Sequence, residues 1–418
     1  MKKEAIIYLA GRFVPAVISL AFIILAIRYL GPVLYGRYSL LFYSALIAIT
    51  FTYHWVQVSI LKFLGHPSRE FNIVVGRFYD LTIITALIST FLVFLAGFFY
   101  FHSDTPELLL VCAFTFLTHF YLFHMAILQV HHRSVRTAII EGSDQLIMIA
   151  TFLAGLFILG WKNQSLVFGA LVVGLVGVLV LRFFIRVKGL LAIKRTRFYW
   201  DSRFFGKAVA FGYGVMFWLL FSHILMAFDR FVIAEYFGYQ NAGSYSALKD
   251  LISKAVIFSG LPIYVSYQAK MVDLWHTNQK AAAWSEIKEA LSFQSLVYIL
   301  VFIVFMVIKS KLLESWLDIP EMNYWMIYLP LLLSAFLWQT ALLLQRYVEF
   351  IFRINLMLIA LALIVILNVI INLTLLPVYG IIVSPISMLA SSTLYIVFVL
   401  VLSYVGRRKL KLLQKKDM

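Results

Sequence analysis

The sequence predicts an all-helical membrane protein with two similar halves and about twelve spanning helices. Of its 418 residues, 63% are hydrophobic and only 13% are charged, and the mean hydropathy is +0.94. The apolar residues form continuous runs that reach the roughly 20 residues needed to cross a bilayer, which indicates helices rather than barrel strands. A motif that recurs at about half the chain length indicates the two halves.

The apolar runs are separated by short polar connectors. Each of the roughly twelve runs is long enough to span a bilayer as a helix. They cover residues 6–30, 38–61, 78–101, 105–129, 138–160, 164–185, 208–237, 243–268, 291–310, 322–344, 354–376 and 380–404.

The repeated motif reads Tyr-[Leu/Phe]-Gly-x4-Gly-x-Tyr-Ser. It occurs in residues 28–39 and again in residues 235–246, each time between two long apolar runs. The offset is 207 residues, from Tyr29 to Tyr236, since 236 − 29 = 207. We therefore expect two corresponding helix pairs, one in each half of the chain.

The two glycines of each motif copy are expected to end helices. Glycine adopts backbone conformations that other residues avoid, and here the chain must leave one helix and enter the next within a few residues. The repeat pairs Gly31 with Gly238, and Gly36 with Gly243.

The domain boundaries follow from the same repeat. We predict two parallel six-helix bundles that superpose on each other, at residues 1–185 and 208–404. A basic linker, residues 186–207, joins them, and a basic tail follows at residues 405–418.

The net charge of +16 is read as a sign of membrane topology rather than of nucleic-acid binding. With the N-terminus placed inside, roughly 26 basic residues fall on the inner side and about 6 on the outer side, which is the asymmetry that orients membrane proteins. Both termini and the linker are therefore predicted to be cytoplasmic, with anionic lipid as a partner of the basic segments.

Charged residues inside the spans are concentrated in runs 1, 7 and 8. Burying a charge in hydrocarbon is costly, so such residues face a partner or a watery cavity. Corresponding helices of two repeats meet where transporters place their substrate sites, although an internal salt-bridge network would explain the same charges. Asp250 and Lys254 are four residues apart and can pair on one helix face. With a histidine from run 2, the set is Arg12, Arg28, His54, Asp229, Arg230, Lys249, Asp250 and Lys254.

The sequence resembles a known family in two regions. The segment Arg28 to Ser39 after the first helix, and a seventh helix that ends in Asp229-Arg230 before a Gly-x-Tyr-Ser step, are similar to the polysaccharide-transport or O-antigen flippase family. That family belongs to the multidrug, oligosaccharidyl-lipid and polysaccharide (MOP) exporter superfamily. The resemblance implies two six-helix bundles around a V-shaped central cavity lined by helices 1, 2, 7 and 8.

The resemblance also implies a function. Members of the family flip undecaprenyl-pyrophosphate-linked sugars, such as O-antigen units of lipopolysaccharide, from the cytoplasmic to the outer leaflet. The family's functional residues correspond by motif to Arg28, Asp229 and Arg230. The role expected for Arg12, Lys249 and Lys254 is inferred from their position alone.

The expected roles divide the charged residues in two. Arg12, Lys254 and His54 are predicted to bind the pyrophosphate and sugar, since an anion crossing hydrocarbon needs a counter-charge. Mixed charges nearer the outer end suit a gate or an ion-coupling site, with Asp229 or Asp250 as the carrier. That second group is Arg28, Asp229, Arg230, Lys249 and Asp250.

No cofactor is expected other than a coupling proton or sodium ion, and no metal site or catalytic residue is predicted. The sequence contains no Walker loop, G-x-G-x-x-G, H-E-x-x-H or G-x-S-x-G motif, so ATP hydrolysis by this chain is not expected. The expected partners are the polyprenyl-pyrophosphate-linked sugar and the polysaccharide polymerase machinery. We expect a monomer in the cytoplasmic membrane.

Three alternatives stay open from the sequence. A cation-coupled multidrug exporter of the same superfamily would favour an acidic cavity, whereas the interior charges here are mainly basic. A membrane-embedded polysaccharide polymerase or ligase would be expected to carry a sizeable outer loop. With spans of roughly 20 residues, no outer connector exceeds about a dozen residues. A lipid II flippase for the cell wall is the third.

The orientation can be tested by cysteine labelling in a variant without Cys112. Single cysteines at Ser310 and Gln240 should react with an impermeant reagent from outside intact cells, because the basic asymmetry places both outside. A cysteine at Thr196 should react only after permeabilisation. Labelling of Thr196 in intact cells would reverse the predicted orientation.

Overall fold

The computed structural model describes residues 2–64, 71–101, 103–130, 134–184, 202–277, 279–311, 313, 325–351 and 354–416. That description excludes the side chains of residues 2–14, 134, 135, 182–184, 265, 269, 354, 407 and 409–416. These residues form ten helices, joined by turns, with no strand among them. The helices are α1 (Lys2–Leu64), α2 (Phe71–Phe99), α3 (Thr105–Val130), α4 (Ser134–Phe157), α5 (Gln164–Phe184), α6 (Ser202–His276), α7 (Lys280–Ser310), α8 (Trp325–Ile351), α9 (Ile354–Tyr379) and α10 (Val383–Lys416).

Two of the helices are too long for one membrane crossing. α1 has 63 residues and α6 has 75, which at 1.5 Å per residue is about 95 and 112 Å, against a hydrocarbon core of about 30 Å. Each is divided by one glycine with a non-helical backbone, Gly31 in α1 and Gly238 in α6. The first arm of α1 is 2–30 and its second arm is 32–64.

The corresponding arms of α6 are 202–237 and 239–276. In the described part of the chain, all ten helices are long and apolar enough to cross a membrane. Counting α1 and α6 as two spans each gives twelve, which confirms the predicted all-α polytopic fold.

The two dividing glycines share one backbone conformation. Gly31 has φ 80° and ψ 166°, and Gly238 has φ 79° and ψ 169°, a region that is essentially restricted to glycine. This match supports the repeat at the level of the backbone. The prediction was wrong for Gly36 and Gly243, which lie inside the second arms. One glycine is enough to redirect the chain, so the next helix starts directly after it.

The chain's contacts divide it into unit 1, Met1–Ala227, and unit 2, Phe228–Met418. In unit 1, α1 packs against α2, α3, α4 and α5, and α3 packs against α5. This division by packing is not the predicted division by repeat, and the superposition of the two predicted bundles stays a prediction.

The first part of α6, up to Ala227, belongs to unit 1 and packs on the second arm of α1. The rings of Trp55 and Phe205 meet with centroids 5.3 Å apart, and the Ser59 hydroxyl donates to the carbonyl of Ala208 at 2.9 Å. α6 therefore begins in the core of unit 1 before it enters unit 2.

Two helical hairpins of unit 1, α2–α3 and α4–α5, are related by an offset of 58 residues. Both contain Phe-Leu-Ala-Gly, at 94–97 and at 152–155, and 152 − 94 = 58. In the first hairpin the N–H of Ser103 donates to the carbonyl of that glycine at 3.0 Å, and in the second the N–H of Trp161 does the same at 3.0 Å. The first turns of α3 and α5 therefore follow equivalent turns of the chain.

Unit 2 is held by packing of α10 on α8 and α9, and of α7 on α8. A buried amide network joins α9 to α10. Asn368 donates to Ser391 Oγ at 3.0 Å, and Asn372 donates to Ser387 Oγ at 2.9 Å. Such hydrogen bonds between helices stabilise packing where hydrophobic burial alone cannot.

Replacement of Gly31 or Gly238 by alanine is expected to lower the free energy of unfolding by about 1–3 kcal/mol, because a Cβ is strained in that backbone region. Steric contact adds nothing, since a Cβ at either position would meet no atom within 4 Å. Gly206→Ala is the matched control, because it lies inside α6 in equally open space. It should be neutral or slightly stabilising. Thermal unfolding in detergent gives the comparison, and equal melting temperatures for Gly238→Ala and Gly206→Ala would contradict the strain.

Candidate functional site

Four charged residues of unit 2 form a buried ionic cluster between the two arms of α6. Asp229 and Arg230 lie on the first arm and are 2% and 1% exposed. Lys249 and Asp250 lie on the second arm and are 2% and 8% exposed. Since all four were predicted as gate or coupling residues, the structure brings that part of the predicted set together.

The cluster consists of two ion pairs across the arms. Lys249 Nζ donates to Asp229 Oδ2 at 2.6 Å. Arg230 holds Asp250 through two parallel bonds, from Nη1 to Oδ2 at 3.1 Å and from Nη2 to Oδ1 at 2.7 Å. The bidentate geometry is the strong form of the arginine–carboxylate interaction.

The kink at Gly238 places these residues side by side. Asp229 precedes Gly238 by nine residues, or about 14 Å of helix, and Asp250 follows it by twelve residues, or about 18 Å. A hydrocarbon core is about 30 Å thick, so the cluster lies near the middle of both arms if the kink lies at the membrane surface. Each pair joins residues 20 apart in the sequence.

Asp229 has further capacity to bind. Its Oδ2 accepts a second hydrogen bond from the hydroxyl of Tyr245 at 2.5 Å, whereas its Oδ1 is buried and accepts none from the described residues. A buried carboxylate oxygen without a donor is costly, so it is a place where a proton or a small cation would be stabilised.

Lys254 lies one turn beyond Asp250 on the second arm and is half-buried. It is within electrostatic range of Asp250 and Arg230. With it, the cluster holds three cationic side chains, Arg230, Lys249 and Lys254, and two anionic ones, so its net charge is +1 when all five are ionised (3 − 2 = +1). With all five ionised, this net positive charge inside a span favours an anionic ligand.

The other predicted residues lie in unit 1. Arg28 is exposed near the end of the first arm of α1. The helix around Arg12 is described, but its side chain lies outside the described part. His54 is half-buried on the second arm of α1, with its ring 6.4 Å from that of His223 on α6. His223 Nδ1 in turn lies 3.0 Å from Thr50 Oγ1.

The sequence analysis missed Tyr245 and His223. Tyr245 is the last tyrosine of the second motif copy, so the repeat itself marked it as a candidate functional residue. Its counterpart Tyr38 is buried against the rings of Tyr35 and Phe168. The same motif position is therefore buried in both halves, and in the second half it donates a hydrogen bond to Asp229. His223 had a weaker signal, as a lone histidine in an apolar run.

Comparison with known proteins gives a family and a fold. A family model described as "Polysaccharide biosynthesis protein" matches residues 1–267. A search of the curated proteins found no match.

Three of the similar solved structures are described as transporters of the MOP superfamily. An outward-facing multidrug resistance MATE family transporter of the MOP superfamily is 14% identical, with 98% of this chain and 95% of that chain covered and a TM-score of 0.69. An inward-facing one is 13% identical, with 99% and 100% covered and a TM-score of 0.69. A MOP superfamily transporter from Pyrococcus furiosus, described as having a binding pocket of reverse polarity that suggests a different function, is 14% identical over 98% and 95%, at a TM-score of 0.69. Since both conformations score equally, the likeness shows the fold and not a conformational state.

The Arg230–Asp250 pair can be tested by its removal. Asp250→Ala is expected to lower the free energy of unfolding by about 3–5 kcal/mol, because it leaves a buried guanidinium without its bidentate carboxylate. The double variant Arg230→Met with Asp250→Leu should regain most of that loss, since an apolar pair removes both charges.

Lys270→Ala is the control, because the lysine is exposed on the second arm of α6 and its partner, Glu286, lies on α7. It should lower the melting temperature much less. A double variant as unstable as Asp250→Ala would show that the loss does not come from the unpaired guanidinium.

Proposed function

The chain belongs to the polysaccharide biosynthesis protein family, and from that premise we propose that it is a flippase for a polyprenyl-pyrophosphate-linked oligosaccharide. In this proposal the protein moves an O-antigen or other surface-polysaccharide unit across the cytoplasmic membrane by alternating access. It is a transporter and not an enzyme, because no bond of the substrate needs to be made or broken for the head group to change leaflets.

The buried ionic cluster on α6 is the observation that carries the proposal. A pyrophosphate head group is an anion that cannot enter hydrocarbon without counter-charges. Arg230, Lys249 and Lys254 outnumber the two aspartates of the cluster, and they supply these counter-charges midway along α6. Guanidinium groups bind phosphate in the same bidentate manner in which Arg230 holds Asp250.

Exchange of ion-pair partners is the proposed step of transport. A phosphate that approaches Arg230 can replace Asp250, and Asp250 can then turn to Lys254, four residues along the same helix face. The phosphate then pairs with Arg230 and Asp250 with Lys254, so the exchange avoids leaving a charge buried alone, which would be the costly state. The polyprenyl tail remains in the lipid throughout.

Coupling to an ion gradient is proposed at Asp229. Its second oxygen accepts no hydrogen bond from the described residues, and its first is held by Lys249 and Tyr245. Binding of a proton or a sodium ion there would weaken the ion pair between Lys249 and Asp229. It would thereby favour the state in which the ion pairs between the two arms are broken. Asp250 is the alternative carrier.

A cation-coupled multidrug exporter is the second candidate, favoured by the fold that the chain shares with MATE transporters. The charge of the cluster argues against it, because a cationic drug would meet a net positive site. A polymerase or ligase finds no support in the fold.

The expected setting follows the proposed substrate. We propose a multi-pass protein of the cytoplasmic membrane with both termini inside, acting as a monomer beside the polysaccharide polymerase machinery. The basic segments at residues 186–207 and 405–418 would then contact anionic lipid on the inner face.

Lys254→Ala is expected to reduce transport by roughly tenfold to a hundredfold, since a charged hydrogen bond to the substrate contributes about 1.5–3 kcal/mol. Lys254→Arg should retain part of the activity if charge alone matters. Lys270→Ala is the control, because it removes an exposed lysine from the same arm. The assay is the amount of lipid-linked sugar that reaches the outer leaflet in cells lacking their own flippase, at matched protein level.

Arg12→Ala is expected to act like Lys254→Ala if both residues bind phosphate. Transport at the wild-type rate by both variants would refute the phosphate-binding role. A loss of protein from the membrane, rather than of transport, would assign the residues to structure.

A further inference from the structure

We propose that unit 1 has a binding site for an anionic phospholipid where α1 ends and α2 and α6 begin. The lipid phosphate would bind Lys62, Arg77 and Lys207, and an acyl chain would lie on the exposed ring of Phe211. The site does not depend on the proposed transport function. It rests on the packing of three helices rather than on the basic sequence of the linker and tail.

Four phenylalanines hold the three helix ends together. Phe204 of α6 packs against Phe63 of α1 with ring centroids 5.9 Å apart, and against Phe78 of α2 at 5.1 Å. Phe63 also contacts Phe211, further along α6, at 6.4 Å. Since α1 ends just after Phe63 and α6 begins just before Phe204, these contacts lie at helix ends. The cluster is therefore on the side of the membrane that is predicted to be cytoplasmic.

Two basic side chains lie over the rings of this cluster. Lys62 Nζ is 3.8 Å from the ring centroid of Phe211, and Arg77 Cζ is 5.4 Å from that of Phe204. Both distances are within the range of cation–π attraction, which favours these positions for the charges. Lys207 lies three residues after Phe204 and four before Phe211, and so on the same side of α6. Three basic residues therefore border one aromatic surface.

The charge around the cluster is positive. The segments that meet here, residues 62–80 and 202–211, contain five basic and two acidic residues, a net charge of +3 (5 − 2). Lys62 and Lys207 are exposed, and neither forms an ion pair with a residue that the structure describes. Like charges that lie close together repel each other, so an anion that binds among them is stabilised. At a membrane surface, the phosphate of anionic lipids supplies that anion.

Exposed apolar side chains beside the cations favour a lipid over a soluble phosphate. Phe211, over which the Lys62 ammonium group lies, is 38% exposed, and Leu61 is 37% exposed. Lysine at a membrane surface lays its apolar stem along hydrocarbon and keeps its amine at the polar boundary. A ligand with both a phosphate and an acyl chain would cover the two kinds of surface, whereas inorganic phosphate would leave the apolar part uncovered.

Native mass spectrometry of the purified full-length protein tests the site, with phosphatidylglycerol as the anionic probe and phosphatidylcholine as the neutral one. The wild type should bind phosphatidylglycerol more tightly. Lys62→Gln and Lys207→Gln should each weaken that binding by about fivefold, which is the contribution of one basic residue near an anionic membrane surface. Lys288→Gln is the control, because it removes the same charge from an exposed position on α7. It should leave the binding unchanged.

Phe211→Ala distinguishes a built site from general charge attraction, because it keeps every charge and removes the ring beneath Lys62. It should weaken phosphatidylglycerol binding by about two- to fivefold. Equal losses in Lys62→Gln and Lys288→Gln, or unchanged binding in Phe211→Ala, would overturn the site. Full displacement of phosphatidylglycerol by inorganic phosphate would overturn the lipid as its ligand, and so would tighter binding of a polyprenyl phosphate.

Discussion

The ion pairs between the two arms of α6 are the interaction on which the interpretation of this protein depends. Charges can be buried in a membrane only where each has a partner, and Asp229, Arg230, Lys249 and Asp250 meet that condition by pairing across the arms. The pairing needs the kink at Gly238, because only a sharp reversal brings two segments of one chain side by side. Backbone conformation and electrostatics are thus linked: the glycine creates the hairpin, and the ion pairs fix how its arms lie against each other. Such pairs contribute specificity more than net stability, because desolvation offsets most of the Coulomb attraction.

The two copies of the repeat share a backbone conformation but differ in the contacts of their side chains. Gly31 and Gly238 divide α1 and α6 with the same dihedral angles, so the two helix pairs begin from the same local geometry. Tyr38 packs among aromatic rings after the first kink, whereas Tyr245 donates to Asp229 after the second. Both junctions therefore start from one backbone turn, and the second joins two arms that are held together by ion pairs.

The spans and the kinks could be predicted because each leaves a local signal in the sequence, as an apolar run of spanning length or a glycine at a helix junction. The ionic residues could be predicted as a set, since charges are rare in such runs. The ion pairs across the arms could not be predicted, because spacing along one helix suggests only neighbours such as Asp250 and Lys254. Arg230 reaches Asp250 from the other arm, 20 residues away in the sequence. The burial of Glu107 in unit 1 left no signal at all, because a glutamate in the first turn of a helix is ordinarily a solvated end residue. It comes from the packing of α3 on α5, which no local pattern encodes.

The position of the cluster along α6 bears on how a ligand could act at a distance. The helix packs with unit 1 as far as Ala227 and with unit 2 from Phe228 onward, and Asp229 is the next residue. A change in the ion pairs of Asp229 or Arg230 therefore acts on the helix at the point where its packing partners change. An anion that binds Arg230 would break its pair with Asp250. A cation that binds Asp229 would break its pair with Lys249. Both changes would occur among the same four residues. Substrate and coupling ion would then act on one network rather than through separate sites, and their binding energies would be coupled because each changes an ion pair between the same two arms.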